Sequence, residues 1–390
     1  MSGHYISQHS GYTIHNRVKL VRGGRDYFSC LLELIKASKH SIHFQTYIFE
    51  EDETGEMVAS ALEKAADRGV VIYMMADGYA SQKLSGSFTQ RMKASGIRFR
   101  LFEPILKSDN YYFGRRLHQK VVVADAHVGL VAGVNISNRY NDMPGQAAWM
   151  DWAILVEGEA AVSLNRVCAE MWSRSSIIKR KALDSGLKPE IQPNWSCLVS
   201  VRRNDWVQRK NQISRTYLNM LKDSRDHIIM MSSYFLPGRS IRKGMSRAAG
   251  RGVKVSLILA GRSDIALAKH AERYLYRWLL GKGIKIYEYP SNVLHGKLAV
   301  CDGKFVTGGS YNVNNLSAFA SIELNLDVQD MKFSAEVETA LTHIRDQECV
   351  QVTEEVYRTE YGWVSRVKQQ AAYQLVRLMF FLFTFYFRQH

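Results

Sequence analysis

The sequence predicts an α/β fold of two homologous lobes, each a mostly parallel central sheet flanked by helices, related by a pseudo-twofold axis. Two observations predict it. A short phrase occurs twice, LHQKVVVAD at 117–125 and LHGKLAVCD at 294–302, and the segments ahead of each copy repeat as well. SIHFQTYIFE (41–50) echoes HIIMMSSYFLPG (227–238), RGVVIYMMADG (68–78) echoes RGVKVSLILAG (251–261), and GIRFRLFEP (96–104) echoes GIKIYEYP (283–290). Each half therefore reads strand, helix, strand, helix, strand and then the motif strand. Such alternation favours a parallel sheet covered by helices.

The element ends are legible. MVASALEKAADRG closes on Gly69 and SIRKGMSRAAGRG closes on Gly252, glycine being the residue that most easily ends a helix in a left-handed conformation. The apolar run Val121 to Val123 suits a buried strand, and Asp125 starts the turn out of it. The polar, basic, two-proline stretch SRSSIIKRKALDSGLKPEIQPNW separates the repeats. The expected organisation is a first lobe at 1–175, a linker at 176–195, a second lobe at 196–350 and a tail at 351–390.

The doubled phrase carries the chemistry. His118 and His295, Lys120 and Lys297, Asp125 and Asp302, and Asn135 and Asn312 are each 177 residues apart. Alternate residues of a strand share a face, so each histidine and its lysine point the same way. One half-site offers an imidazole, an ammonium and an amide, enough to hold phosphate oxygens. Exchange at a phosphodiester needs more: a nucleophile on one side of phosphorus and a proton donor on the leaving oxygen opposite. Two facing half-sites supply both, while two lysines and two asparagines surround the charge that develops. The arrangement requires no metal, and no cofactor is expected.

The H-x-K-x4-D phrase, followed by Asn seventeen residues after each His, resembles the signature of the phospholipase D superfamily. The motif set His118, Lys120, Asp125, His295, Lys297 and Asp302 is thereby the catalytic candidate set. Within it, the resemblance implies that Asp125 and Asp302 brace the turn instead of touching phosphate. It also implies that Asp151, in WMDWAILVEG, and Glu323, in SIELNLDV, orient the histidines, and that Asn135, Asn312 and Ser310 bind phosphate. Gly133 stands where the second half has Ser310, and Ala132 replaces the first glycine of the usual pair before Asn135. Among the superfamily's branches the chain is similar to bacterial cardiolipin synthases lacking N-terminal transmembrane helices. The segments QTYIFEEDETG (45–55), DGYAS (77–81), FGRRLHQK (113–120), RNDWVQRKNQISRTYLNML (203–221) and SSYFLPG (232–238) carry that likeness. It implies phosphatidyl transfer between two phosphatidylglycerol molecules through a phosphatidyl-histidine, with His118 as nucleophile and His295 as acid and base. The alternatives are a phosphodiesterase hydrolysing phospholipid or nucleic acid, and a catalytically inert basic membrane scaffold.

Composition narrows the partners. With 52 Lys and Arg against 37 Asp and Glu, the formal charge is +15, which favours an anionic membrane or a nucleic acid. No segment reads as a nucleic-acid module and no base-stacking motif is visible, so an anionic phospholipid membrane containing phosphatidylglycerol is the expected partner and nucleic acid is not. The oligomeric state is unreadable. Five widely spaced cysteines without a C-x-x-C pair suggest neither a disulfide frame nor a zinc knuckle. No signal peptide is visible, and the expected location is peripheral, on the cytoplasmic face of a bacterial cell membrane.

The tail, RVKQQAAYQLVRLMFFLFTFYFRQH, holds five phenylalanines between Phe380 and Phe387. A bilayer span needs about 20 apolar residues, and this run is half that. Each phenylalanine left in water forgoes roughly 1.5–3 kcal/mol, so the run needs burial. As a helix it places aromatics all round, which does not suit one-faced packing. Flanked by Arg366, Lys368, Arg377 and Arg388, it reads as a basic-aromatic segment that enters a membrane interface.

Overall fold

In a computed structural model of the chain, residues 11–103, 115–174, 191–314, 321–360 and 362–386 are described, the side chains of 174, 360 and 380–386 excepted. Residues 176–190 of the expected linker thus lie outside the described residues, as do the side chains of the phenylalanine run.

The first lobe runs β1 (Asn16–Arg22), α1 (Arg25–Ala37), β2 (Ser41–Thr46), α2 (Glu53–Asp67), β3 (Val71–Asp77), α3 (Gly86–Ala94), β4 (Arg98–Phe102), β5 (Arg116–Leu117), β6 (Lys120–Ala124), β7 (Val128–Ala132), β8 (Trp152–Gly158) and α4 (Glu159–Arg174). The second runs β9 (Leu198–Asp205), β10 (Lys210–Asn211), α5 (Gln212–Asp223), β11 (His227–Ser232), α6 (Arg239–Gly250), β12 (Lys254–Arg262), α7 (Ala266–Tyr274), α8 (Tyr276–Leu280), β13 (Lys285–Val293), β14 (Leu298–Cys301), β15 (Phe305–Gly309), β16 (Ser321–Gln329), α9 (Met331–His343) and β17 (Val350–Val352). Two helices follow, α10 (Glu354–Glu360) and α11 (Trp363–Tyr386).

Each repeated strand–helix unit forms, and both predicted helix closures hold: α2 and α6 end just before Gly69 and Gly252, each at φ +89°. The α/β, two-lobe class is right, but the sheets are mixed and not mostly parallel. Their orders are β1-β8-β7-β6-β2-β3-β4 and β10-β9-β16-β15-β14-β11-β12-β13-β17. Within each sheet's main path, among the described residues, β2-β3-β4 and β11-β12-β13, the strands joined by helical crossovers, pair in parallel, and the other neighbours pair antiparallel. The motif strands β6 and β14 instead turn straight back into β7 and β15. A short hairpin can only be antiparallel, and the strand pattern alone does not show where crossovers stop.

The two sheets share one apolar layer. Val121 and Val123 of β6 pack there with Ile154, Ile229, Met231, Leu298 and Val300, while Val122 and Ala124, on the other face, pack with α1 and α2. Both faces of each sheet are thus covered, which explains why β6 is buried along its whole length. The lobes are also stitched backbone to backbone. β5, from the first lobe, pairs with β16 of the second (Arg116↔Ser321, Leu117↔Ile322), and Met150 bridges Leu294.

The tail helix α11 buries Gln369, Ala372, Tyr373 and Val376, with Tyr373 stacked on Tyr274 of α7 at 4.6 Å. Trp363, Val364, Val367, Leu375, Leu378 and Met379 face solvent. The helix therefore packs by one face upstream of the aromatic run. Among the described residues no helix is long and apolar enough to cross a membrane.

Asp125 and Asp302, grouped above with the catalytic candidates, make bracing contacts to backbone. Each starts its hairpin turn at positive φ, 55° and 51°. Asp125 accepts the backbone N–H groups of Lys39, His40 and Ser41 at 2.8 Å each. Asp302 accepts those of Arg225, Asp226 and His227 at 2.8–2.9 Å. Both carboxylates are spent on the loop that starts β2 or β11. Asp302→Ala should lower the unfolding free energy by about 2–3 kcal/mol, read as a shifted denaturant midpoint, while the protein that remains folded keeps its turnover number.

Candidate active site

His118 lies between β5 and β6, and His295 between β13 and β14, each two residues before its lysine. The downstream carboxylates meet the histidines crosswise. His118 Nδ1 is 2.9 Å from Glu323 of the second lobe, and His295 Nδ1 is 2.7 Å from Asp151 of the first. The interlobe stitches produce this crossing. Leu117 pairs with Ile322, so the next residues along these parallel strands, His118 and Glu323, fall side by side. Likewise Met150 bridges Leu294, with His295 N–H donating to Met150 O at 2.7 Å, and Asp151 meets His295. Asp77, inside the DGYAS segment, holds the first stitch by accepting the Leu117 N–H at 2.8 Å.

With Nδ1 of each ring engaged by a carboxylate, Nε2 is left as the reacting nitrogen. Around it stand the other expected groups. Lys120 Nζ donates to His118 O at 2.6 Å, and Lys297 Nζ donates to His295 O. Both ammonium groups lie in the field of both carboxylates, Asp151 and Glu323. The side-chain oxygen of Asn135 accepts the Ile48 N–H at 3.1 Å, and that of Asn312 accepts the Ser233 hydroxyl at 2.5 Å. Each amide is thereby anchored by its oxygen, and its N–H2 end is the donor end.

Ser310 departs from expectation. Its hydroxyl donates to Glu323 Oε2 and accepts the Leu324 N–H at 3.1 Å, so it steadies the carboxylate behind His118 instead of serving as a phosphate donor. The first lobe needs glycine at the matching place. A Cβ on Gly133 would stand 2.2 Å from Asp151 Oδ1, inside any permissible contact. A hydroxyl braces one carboxylate, and empty space admits the other.

Burial sets the protonation states. It pushes both imidazoles below their ordinary range, His295 furthest, where Lys297 and Lys120 act in the same direction. It brings Lys120 down to about 7 and Lys297 to about 8, against the pull of the carboxylates. It raises Asp151 to about 7, with Lys297 opposing. Burial here thus resists charge of either sign, and a phosphate anion placed among these groups favours the protonated lysines and one imidazolium.

Sequence reasoning missed an aromatic collar. Tyr47 stands edge-on to His118 at 4.7 Å. Tyr140, Trp149 and Tyr234 surround His295 at 5.2, 6.1 and 6.5 Å. Tyr47 and Tyr234 lie just past the ends of the repeated strands β2 and β11, a positional hint that the repeat did contain.

Known proteins match this architecture. The sequence profile described as "Cardiolipin synthase, PLD-like domain" matches residues 31–166 and 217–345. Cardiolipin synthase B of Salmonella typhi is 32% identical over 376 residues, covering 94% of this chain and 89% of its own. The Shigella flexneri protein of the same name is 30% identical over 368 residues, covering 93% and 88%. Among solved structures, phosphatidylserine synthase of Haemophilus influenzae superposes with a TM-score of 0.72 over 93% of each chain at 14% identity, a likeness of fold. Twin motifs facing across two stitched sheets and near-full-length relatives lead to one assignment: this protein belongs to the cardiolipin synthase family of phospholipase D-type phosphatidyltransferases.

Proposed function

We propose that the chain condenses two phosphatidylglycerol molecules into cardiolipin and glycerol. The crossed His118–Glu323 and His295–Asp151 pairs carry this reading, because each engages Nδ1 and leaves Nε2 to react, and the two rings lie near enough for their charges to interact. In the first step His118 Nε2 attacks phosphorus. The P–O bond to the headgroup glycerol breaks, and that oxygen takes the proton of His295. An imidazolium held far below its ordinary pKa is a strong acid, which suits this donation. In the second step the headgroup hydroxyl of another phosphatidylglycerol gives its proton to His295 and attacks phosphorus, and the P–N bond to His118 breaks. Lys120, Lys297, Asn135 and Asn312 hold the phosphoryl oxygens, where losing one donor typically costs about 10²–10³ in rate. The collar of Tyr47, Tyr140, Trp149 and Tyr234 excludes water, which favours a lipid hydroxyl as acceptor.

The protein works as a peripheral enzyme on the cytoplasmic face of the membrane. The exposed apolar side chains of α11, interspersed with Arg366, Lys368 and Arg377, suit an anionic interface.

Four outcomes test this reading. Mass spectrometry of lipids after incubation with phosphatidylglycerol vesicles should show cardiolipin. Phosphatidic acid alone would replace transfer with hydrolysis. Both His118→Ala and His295→Ala should abolish turnover, and only His295→Ala should retain a trapped lipid adduct. Glu323→Gln should lower kcat by about 10²–10⁴ with the fold intact, by analogy with amide replacement of other histidine-orienting carboxylates. In the free protein both imidazoles should titrate below about 6.5, the ordinary histidine value, by NMR of histidine-labelled protein. Adding orthovanadate should move at least one upward, since an anion stabilises the imidazolium. Ordinary values in the free protein would contradict the burial argument.

A further inference from the structure

A second basic cleft lies outside the catalytic site, between the start of α6, α7 and the tail helix α11. It encloses about 550 Å³ and is lined by the turn from Leu236 to Gly238, by Arg239, Arg242 and Arg377, and by Tyr274 and Tyr373. That volume falls within the range of small-molecule sites. Three features make it an anion site. Among the described residues, none of the three arginines pairs with a carboxylate, and the buried Nε of Arg242 has no hydrogen-bond partner. The nearby carboxylates of Glu272 and Glu288 are already committed to Lys269 and Arg273. Helix α6 starts without a side-chain cap and without an acidic residue in its first turn, and arginines stand there instead. A helix start already carries partial positive charge, and the guanidinium groups of Arg239, exposed, and Arg242, half-buried, add to it, which favours an anion among them. Guanidinium groups and free helix N–H groups together are the donor set that recognises phosphate.

We infer that this cleft binds the phosphate headgroup of an anionic phospholipid that does not react, and so holds the protein on its substrate surface. The tail helix supports a lipid as the source of that phosphate. Arg377 reaches the cleft from α11, and the apolar Leu375, Leu378 and Met379 lie exposed beside it, so acyl chains leaving the cleft meet an apolar helix surface. The site also lies close to the chemistry. Tyr234, at the collar, is two residues from Leu236, a chain distance of at most about 7 Å.

The test uses the full-length His118→Ala chain and a short-chain phosphatidylglycerol bearing a diazirine in one acyl chain, kept below its micelle concentration. After photolysis, peptide mapping should find adducts on the peptides holding Tyr274 and Tyr373. Arg239→Gln combined with Arg242→Gln should reduce those adducts by at least about tenfold, with the thermal midpoint unchanged and active-site labelling retained. Excess glycerol phosphate should protect the cleft. If inorganic phosphate protects equally, the phosphate group alone carries recognition; if only the ester protects, the lipid headgroup does; both outcomes uphold the site. Absence of adducts at these peptides, adducts undiminished in the double variant, or no protection by either anion would overturn it. Labelling needs no turnover, so its failure is separable from a failure of cardiolipin synthesis.

Discussion

The structure depends on two hydrogen bonds that cross between lobes, His118 to Glu323 and His295 to Asp151. Neither lobe completes a reacting group from its own residues. Each supplies a histidine whose orienting carboxylate belongs to the other. The backbone stitches Leu117–Ile322 and Met150–Leu294 place these partners one residue further on, so the register of two very short pairings sets the geometry of the chemistry. The lobes are therefore bound to one another by more than apolar area. Asp151, Glu323, Lys120 and Lys297 are all nearly inaccessible to solvent in the joined lobes, and removing one partner of such a buried group typically costs about 3–5 kcal/mol.

This constraint explains which parts were legible in the sequence. The repeat, the helix ends and the motif residues are local features, and local chemistry announces them. His118 and Lys120 must share a strand face, and a glycine after α2 must accept positive φ. Even Asp125 and Asp302 can be read, since a hairpin leaving a motif strand needs its start tied down. What lies between segments is not local. The crossed pairing depends on β5 joining a sheet that belongs mostly to the other lobe, and no spacing along the chain encodes that. The antiparallel share of the sheets was obscured similarly: strand pattern shows that β7 follows β6, while chain direction in the sheet is set by the hairpin. Ser310 is the clearest case, because a hydroxyl near a phosphate motif invites a phosphate role until Glu323 is seen beside it.

The pseudo-symmetry is broken where the two roles must differ. Behind His118, Glu323 is held by the Ser310 hydroxyl. Behind His295, Asp151 fills space that any side chain on Gly133 would block. His295 is also the more enclosed ring, with its side chain 6% exposed against 16% for His118, and its conjugate acid is the more destabilised. A nucleophile has to be reached by phosphorus, which suits the more open ring. A ring whose conjugate acid is destabilised gives up its proton readily to a departing oxygen, consistent with the proposed division of labour.

Transfer requires a further condition that two histidines do not supply. A phosphatidyl-histidine can react with water or with a lipid hydroxyl, and the imidazole that accepts the proton does not discriminate between them. Discrimination has to come from what reaches the site. Four aromatic side chains crowd the two rings, and the loop carrying one of them, Tyr234, continues directly into the arginine-lined cleft beneath the tail helix. With a lipid in that cleft, as proposed, membrane docking and water exclusion act through the same segment, 232–238. Under that proposal, an enzyme held against a lipid surface at that segment meets its acceptor at high local concentration while the collar limits bulk water, a combination that favours synthesis over hydrolysis.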